Sequence, residues 1–269
     1  MDTATKTDRD IDDVDILLAV KNGAQYLQEQ IDSIFRQNGD FKARIICNLD
    51  SSNDESAHIL NRNGIIYSEV DNLGPCSNFL ALIHASTARY AALCDQDDIW
   101  YSDKLSRGVS FLQSISGPGL YVGSIDISTG GKRIASEKNF VSSLLRNDVQ
   151  GNSIIMNAAM VRLIQESSSV HAIMHDWWIH IIGCLEATVL YDKRPTISYR
   201  IHNGNTIGIK KFRIKLKDYL FSIIHPGTDH RVFHQALGLQ EIFLHYDPME
   251  LSANQHILLN LNVKIRSNF

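Results

Sequence analysis

Tyr90-Ala91-Ala92-Leu93-Cys94-Asp95-Gln96-Asp97-Asp98-Ile99-Trp100 joins two patterns with opposite demands. Its first five residues carry no charge and suit a strand covered on both faces. That run ends on three carboxylates in four residues, which repel one another unless a cation or a set of donors compensates them. A hard divalent ion is the natural partner. Magnesium or manganese takes oxygen ligands and leaves positions for substrate phosphates. The competing reading is an acidic surface turn that caps a helix from Asp103. Placement directly after an apolar strand favours the metal.

Working outward, the same rhythm repeats on the N-terminal side. Residues 14–20 form a nearly continuous apolar run, broken by Asn22-Gly23. Residues 24–37 follow, with Leu27, Ile31, Ile34 and Phe35 at helical spacing. Residues 44–49 read as a second strand and 54–62 as a helix that Ser52 or Asp54 can cap. A third strand is expected at 65–67, a loop at 71–75 and a helix at 77–87, before the strand at 90–94. Alternation of this kind predicts a largely parallel, helix-covered sheet. Ligands of such sheets bind at the carboxyl ends of strands, where Asp50 and Asp95 fall. After residue 116 turns appear at 117–119 and 130–131. Helical patterns follow near 141–147, 159–167 and 176–187, with a short strand at 188–191.

Composition removes several classes. A formal net charge of -4 provides no bulk basic field for nucleic acid. Cys47, Cys76, Cys94 and Cys184 contain no Cys-x-x-Cys pair, which argues against a zinc ribbon. Reduced thiols within apolar runs point to a reducing, cytoplasmic compartment. No apolar run approaches the roughly 18 residues of a membrane span. No Gly-x-Gly-x-x-Gly follows the first strand, which disfavours a generic Rossmann cofactor protein.

Three further clusters carry chemistry. Asp50, in Leu49-Asp50-Ser51-Ser52-Asn53-Asp54, offers a carboxylate at a strand end to a nucleobase or ribose; a helix cap with a turn explains the same residues. In His175-Asp176-Trp177-Trp178, two adjacent tryptophans face different sides of a helix. One is expected in the core, while the other is free to stack on a sugar ring. Asp176 among apolar neighbours suits a general base, or merely a helix cap. In Tyr199-Arg200-Ile201-His202, Arg200 and His202 lie two apart and share one face of an extended segment. From there both are able to reach one diphosphate and its metal.

Taken together, in this order and spacing, these segments resemble the inverting family-2 glycosyltransferases of GT-A fold, and within them the bacterial rhamnosyltransferase-like group. The resemblance runs from Val14 to about Gly208. It includes Val20-Lys21-Asn22-Gly23, Tyr26-Leu27-Gln28-Glu29-Gln30-Ile31, Asn72-Leu73-Gly74-Pro75 with Asn78-Phe79, and Asp103-Lys104-Leu105. It implies a nucleotide-sugar-binding half at 14–115 and an acceptor-binding half at 116–208, between a disordered leader at 1–13 and a helical C-terminal region at 209–269. Asp97 and His202 are implied for a manganese or magnesium ion. Val20, Asn22, Asp50, Asn78, Asp95, Gln96 and Arg200 are implied for the nucleotide-sugar donor. Trp100, Trp177 and Trp178 are implied for the acceptor and Asp176 for the catalytic base. The implied fold is a GT-A α/β domain with a helical extension. The implied reaction moves a sugar, L-rhamnose from dTDP-rhamnose as first choice, to a glycan or lipid-linked glycan in cell-surface polysaccharide synthesis. Transfer of another nucleotide hexose, or a catalytically inactive binding relative, are the rivals. Two departures touch the nucleotide end: Leu49-Asp50-Ser51-Ser52 stands where the family has Asp-Asp-Gly-Ser, and Val20-Lys21-Asn22 where it has Thr-Tyr-Asn. Finally, residues 209–221 alternate basic and apolar side chains. That pattern suits an anionic membrane surface at the cytoplasmic face as well as ordinary helix packing.

Overall fold

β1 (Asp12–Val20) buries both of its faces. Val14, Ile16, Leu18 and Val20 enter one hydrophobic cluster and Leu17 another, as side-chain alternation along a strand requires. Such a strand needs helices above and below its sheet. The computed structural model, which describes residues 12–138, 140–167 and 172–202, shows both layers. On one side lie α1 (Ala24–Phe35) and α4 (Lys104–Leu112), which contribute Leu27, Ile31, Leu105 and Val109. On the other lie α3 (Gly74–Ala85), α6 (Ala158–Glu166) and α7 (His175–Glu186), which contribute Phe79, Ile83, Met160, Ile164 and Ile181. α5 (Phe140–Leu145) packs against α7, and α2 (Ser56–Arg62) against α1.

The remaining strands are β2 (Phe41–Asp50), β3 (Tyr67–Val70), β4 (Tyr90–Asp95), β5 (Ile99–Trp100), β6 (Gly119–Ile127), β7 (Lys132–Arg133), β8 (Ile154–Asn157) and β9 (Thr188–Tyr199). Their order is β3-β2-β1-β4-β8-β6-β9-β5, with β7 paired to β6. The β3-β2-β1-β4 half is parallel, as expected. Beyond it the sheet is mixed: β8 runs antiparallel to both β4 and β6, β5 antiparallel to β9, and β6 parallel to β9. Ala19 pairs with Asn48 on one side and Asp95 on the other. The loops after β1, β2 and β4 therefore emerge side by side at one sheet edge.

A polar anchor fixes the opposite end of β1. Asp15 is buried and accepts from Arg44 Nε and Nη2 at 2.9 and 3.0 Å, from Ser86 Oγ at 3.0 Å, and from the Thr87 and Ala88 amides at 2.9 and 3.1 Å. One carboxylate thus ties β2 and the end of α3 to the central strand.

Several boundaries differ from the sequence reading. The third strand is Tyr67–Val70 rather than 65–67; Ile66 is 89% exposed and marks the approach to it. α3 starts at Gly74, because Pro75 falls in the first turn, where a missing N–H has no helical partner to lose. β6 and β8 were not anticipated. β6 is interrupted by Gly123 and Ser124, where its register with β9 shifts, and β8 has only four residues. β9 continues to Tyr199 through the polar Asp192-Lys193-Arg194-Pro195 stretch that hides it from a pattern search. Of the expected leader, Asp12 and Asp13 belong to β1, and 1–11 lie outside the described residues, as does the helical region expected at 209–269. Among the described residues no helix is long and apolar enough to cross a membrane.

Candidate active site

The loops after β1 and β4 hold one another. Gln96 Nε2 donates to Lys21 O at 2.8 Å, and Lys21 N donates to Gln96 Oε1 at 2.6 Å. A Cβ on Gly23 would lie 2.4 Å from Gln96 Oε1, so a larger residue here would push the Gln96 amide off its paired bonds to Lys21. The loop after β2 joins from the other side. Asn22 N donates to Ser52 Oγ at 3.0 Å, Asn53 N to Asn22 Oδ1 at 2.8 Å, and Ala24 N to Asp54 Oδ2 at 2.9 Å. Asp54 therefore braces two loops, and its Oδ1 accepts from Ser56 N, the first amide of α2, at 3.0 Å. Asn22, Ser51 and Asn72 adopt φ of 49°, 43° and 48°. All three sit at carboxyl ends of the parallel strands, and strained backbone gathers at ligand sites. Ser51 occupies the glycine position of the family pattern. Its left-handed backbone explains that glycine. Here its Oγ instead bonds Asp71 Oδ1 at 3.0 Å and accepts from Asn72 N at 2.8 Å.

The expected nucleotide contacts divide into two groups. Gln96 and Asn22 shape the strand-end loops. Asp50 is nearly fully buried and accepts from the Leu73 and Gly74 amides at 3.0 and 2.9 Å, with Lys21 Nζ 3.6 Å away. Its carboxylate orients the start of α3, so a base or ribose would share oxygens already in use. Val20 and Asn78 turn their side chains into the fold. Val20 is fully buried in the core. Asn78 is buried too and accepts from Asn48 Nδ2 at 2.9 Å, which makes it a bridge between α3 and β2 rather than a free donor contact.

The three carboxylates after β4 have distinct surroundings. Asp98 is fully buried; it accepts from Arg200 N at 3.0 Å through Oδ1 and from Asn152 Nδ2 through Oδ2. Burial, then the Asp97 charge, pushes its carboxyl up to about 7. Below it lies Lys104, also fully buried, which donates to Asn152 O at 2.5 Å and sits 3.3 Å from the centre of the Trp100 ring. Burial pulls that ammonium down to about 7. Asp95 is raised well above the carboxylate range by burial and then by Asp97, Asp98 and Asp176, with Lys104 opposing. Asp97 remains partly accessible and meets His202 Nε2 at 2.8 Å.

Arg200 and His202 do share a face. The His202 ring packs on Tyr26 at 4.7 Å between centroids, and the Arg200 guanidinium lies 5.0 Å over the same ring while pairing with Glu29. The Asp97–His202 pair, beside excess negative charge, suits a hard divalent ion. Among the described residues no three His, Cys, Asp or Glu side chains converge enough to enclose one. An ion held here would therefore draw further ligands from a bound diphosphate.

Asp176 opens α7 in its first turn, where a carboxylate gains from the helix dipole. It is not the cap; Met174 holds that position. Asn147 Nδ2 and Trp177 N donate to its Oδ1 at 2.9 and 2.7 Å, and among the described residues Oδ2 accepts no hydrogen bond. The aromatic acceptor platform is corrected. Trp177 and Trp178 are both fully buried, since α7 is covered on all sides; their indole N–H groups donate to Ser143 O at 2.5 Å and Ser167 Oγ at 3.1 Å. Trp100 is 3% exposed and packs under Lys104. None of the three presents an open ring face.

Four residues of the site were not singled out by the sequence. Lys104 stood in a quoted motif without a role. Asn147 and Asn152 are isolated amides in segments of unclear pattern. Glu29 reads as a surface helix charge until β9 brings Arg200 across to it, 171 positions away.

A mixed, helix-covered sheet with acidic residues after a central parallel strand and a carboxylate on a facing helix defines a GT-A glycosyltransferase domain. Residues 15–169, more than half of the chain, match the profile described as Glycosyl transferase family 2, and the protein belongs to that family. It is 25% identical to the dTDP-rhamnosyl transferase RfbG of Shigella flexneri over 224 residues, covering 74% of this chain and 77% of that one. It is 23% identical to an uncharacterized glycosyltransferase of Haemophilus influenzae over 263 residues, 86% and 80% of the two chains. Among solved structures it is similar to S. aureus TarS 1-349 in complex with UDP, at a TM-score of 0.59 and 11% identity over 94% of this chain and 70% of that chain. It is also similar to the mannosyltransferase PcManGT from Pyrobaculum calidifontis in complex with GDP-Man and Mn2+, at 0.52 and 12% over 95% and 70%. These two likenesses establish the GT-A fold.

Proposed function

We propose that the protein transfers a sugar from a nucleoside diphosphate donor to a glycan hydroxyl with inversion, using Asp176 as base. The observation that carries this reading is convergence. Asp95, Asp97 and Asp98 follow β4, and the Gly151-Asn152 turn joins them to Asp176: Asn152 donates to Asp98, and a Cβ on Gly151 would lie 3.5 Å from Asp176 Cβ. The strand-end loops braced by Asn22, Gln96 and Asp54 offer the donor a rigid floor. Asp97 and His202 would hold a manganese or magnesium ion, which, when bound, offsets negative charge on the departing diphosphate. Arg200, which shares the Tyr26 ring with His202, supplies a further guanidinium for the phosphates.

Asp176 Oδ2 takes the proton of the acceptor hydroxyl. The acceptor oxygen forms its bond to the anomeric carbon as the bond from that carbon to the diphosphate oxygen breaks, and the electron pair leaves with the diphosphate. With one base and no protein nucleophile, the configuration inverts. Asn147 and the Trp177 amide hold Oδ1, which aims Oδ2. Similarity to RfbG supports dTDP-rhamnose as donor and surface polysaccharide as product; another nucleotide hexose is the alternative. The basic–apolar stretch at 209–221 supports attachment at an anionic membrane, where lipid-linked acceptors reside.

A thermal-shift panel of nucleotide sugars with and without manganese tests the donor. Binding at about 100 times Kd stabilises by roughly 2.7 kcal/mol, so dTDP-rhamnose in manganese is expected to raise the melting temperature by several degrees. No shift with any nucleotide sugar contradicts the reading.

A further inference from the structure

A single buried 3-10 turn, Gly151–Ser153, precedes β8. Because β8 runs antiparallel to β4, the turn falls beside the carboxyl end of β4, where Asp97 and Asp98 follow. Ser153 closes it: its N and Oγ both donate to Gln150 O, at 3.0 and 2.7 Å. Its first two residues touch different parts of the site. Asn152 Nδ2 donates to Asp98 Oδ2, and Lys104 Nζ donates to Asn152 O at 2.5 Å. Asp98 Oδ1 accepts from Arg200 N at 3.0 Å, and two residues further on His202 meets Asp97. Asn152 is thus tied to both chain segments that carry the Asp97–His202 pair. Gly151 abuts the start of α7 instead. A Cβ there would lie 2.5 Å from His175 Nε2 and 3.5 Å from Asp176 Cβ. The His175 ring is stacked on Phe79, with 4.2 Å between centroids, and has little room to yield. Two adjacent residues, whose Cα atoms a trans peptide holds about 3.8 Å apart, therefore connect the acidic loop to the base. Asn152 Oδ1 is buried and, among the described residues, has no hydrogen-bond partner. Packing alone gives no reason for an amide that leaves one of its atoms unpaired.

We propose that Asn152 is a positioning residue: together with Gly151 it sets the separation between the Asp97–His202 pair and the Asp176 carboxylate. The proposal rests on the reading of the protein as a glycosyltransferase with Asp176 as its base, and deepens it. In an in-line displacement the acceptor oxygen, the anomeric carbon and the departing diphosphate oxygen lie on one line. The diphosphate is held on the Asp97 side and the acceptor hydroxyl on the Asp176 side, so the gap between the two sides decides whether the line forms. An error of about 1 Å in such a gap costs about a hundredfold in rate, and it leaves each side's hold on its own ligand intact. Lys104 acts behind Asn152 by fixing its carbonyl.

The test compares the full-length parent, Asn152→Ala and Gly151→Ala in manganese. Release of nucleoside diphosphate, with water as acceptor, is followed from the nucleotide sugar that stabilises the parent most, dTDP-rhamnose being tried first. Calorimetric binding of the matching nucleoside diphosphate and a melting curve accompany each rate. Both variants are expected to bind the nucleoside diphosphate within about twofold of the parent and to keep the donor KM, while kcat falls about a hundredfold. In an Asp176→Asn background, Asn152→Ala is expected to change the residual rate by less than about twofold, because the base that it positions is already gone. Gly151→Ala leaves the bond to Asp98 in place and keeps the test open if Asn152→Ala fails to fold. Parental kcat in the folded variants overturns the proposal, as does a full further loss in the Asp176→Asn background. A weakening of nucleoside diphosphate binding that matches the loss of rate overturns it too, since Asn152 would then only hold the donor side together. A parent that binds the nucleoside diphosphate yet releases none from any nucleotide sugar contradicts the transferase reading itself, which separates that failure from the failure of this proposal.

Discussion

Replacing Lys104 by methionine keeps most of the side-chain volume and removes the cation under the acidic cluster. Lys104 is fully buried, donates to Asn152 O at 2.5 Å and lies 3.3 Å from the Trp100 ring centre. A hydrogen bond from a charged donor contributes about 1.5–3 kcal/mol, and a desolvated cation–π contact about 2 kcal/mol. Asp95 and Asp98 also lose the positive charge that opposes their mutual repulsion. Against these losses stands the ammonium's own desolvation, which methionine avoids. Removing one partner of a buried charged group costs about 3–5 kcal/mol, and we expect the lower end, about 3 kcal/mol. Asp98→Asn should relieve part of this, because the uncompensated carboxylate is then gone. The double variant is expected to be about 2 kcal/mol more stable than additivity allows. Urea unfolding of the parent, both single variants and the double variant in chelator measures all four corners. A Lys104→Met loss under about 0.5 kcal/mol, the scale of a change that touches no such feature, refutes the argument, as does strict additivity.

Asp176→Asn keeps shape and the hydrogen bonds at Oδ1, so donor binding should persist while turnover falls by about a hundredfold or more, the range for a lost general base; parental turnover would reduce Asp176 to a structural residue. Asp15 is pushed up by burial, but Arg44, the Thr87 and Ala88 amides and Ser86 outweigh this and hold it below the usual range. Its contribution is therefore present above about pH 4 and is lost as pH falls through the lower folded value. Asp15→Asn should cost about 1–2 kcal/mol at neutral pH, discounted because Arg44 is well exposed, and should flatten the acid limb of melting temperature against pH between 2 and 5. An unchanged acid limb contradicts this. Gly23→Ala drives a methyl into Gln96 and breaks its paired bonds to Lys21, for a loss of about 1–2 kcal/mol and a raised donor KM; an unchanged melting temperature and KM contradict it.

The N-terminal half of the fold was legible because it is built from local periodicity. Apolar runs of β1, β2 and β4 alternate with amphipathic α1 and α3, and each strand end is marked by an acidic or turn residue. The second half was less so, because its strands answer to partners rather than to pattern. β8 is four residues long between β4 and β6, and β9 passes through a polar stretch that only its pairing with β6 and β5 explains. At the site, Asp95, Asp97, Asp176 and His202 stood out by residue type and spacing. Burial did not. Asp98 looks like a third ligand in sequence, yet it is sealed beneath the loop by Asn152 and Arg200. Adjacent tryptophans predict opposite environments only if one face of their helix is solvent, and α7 has no such face.

Release of nucleoside diphosphate from a nucleotide-sugar donor, followed with manganese and in excess chelator for the parent and for Asp97→Ala, tests the central claim most directly. The account predicts release in manganese by the parent, and none in chelator or with Asp97→Ala. Full turnover in excess chelator, or an Asp97→Ala protein as active as the parent, would contradict it.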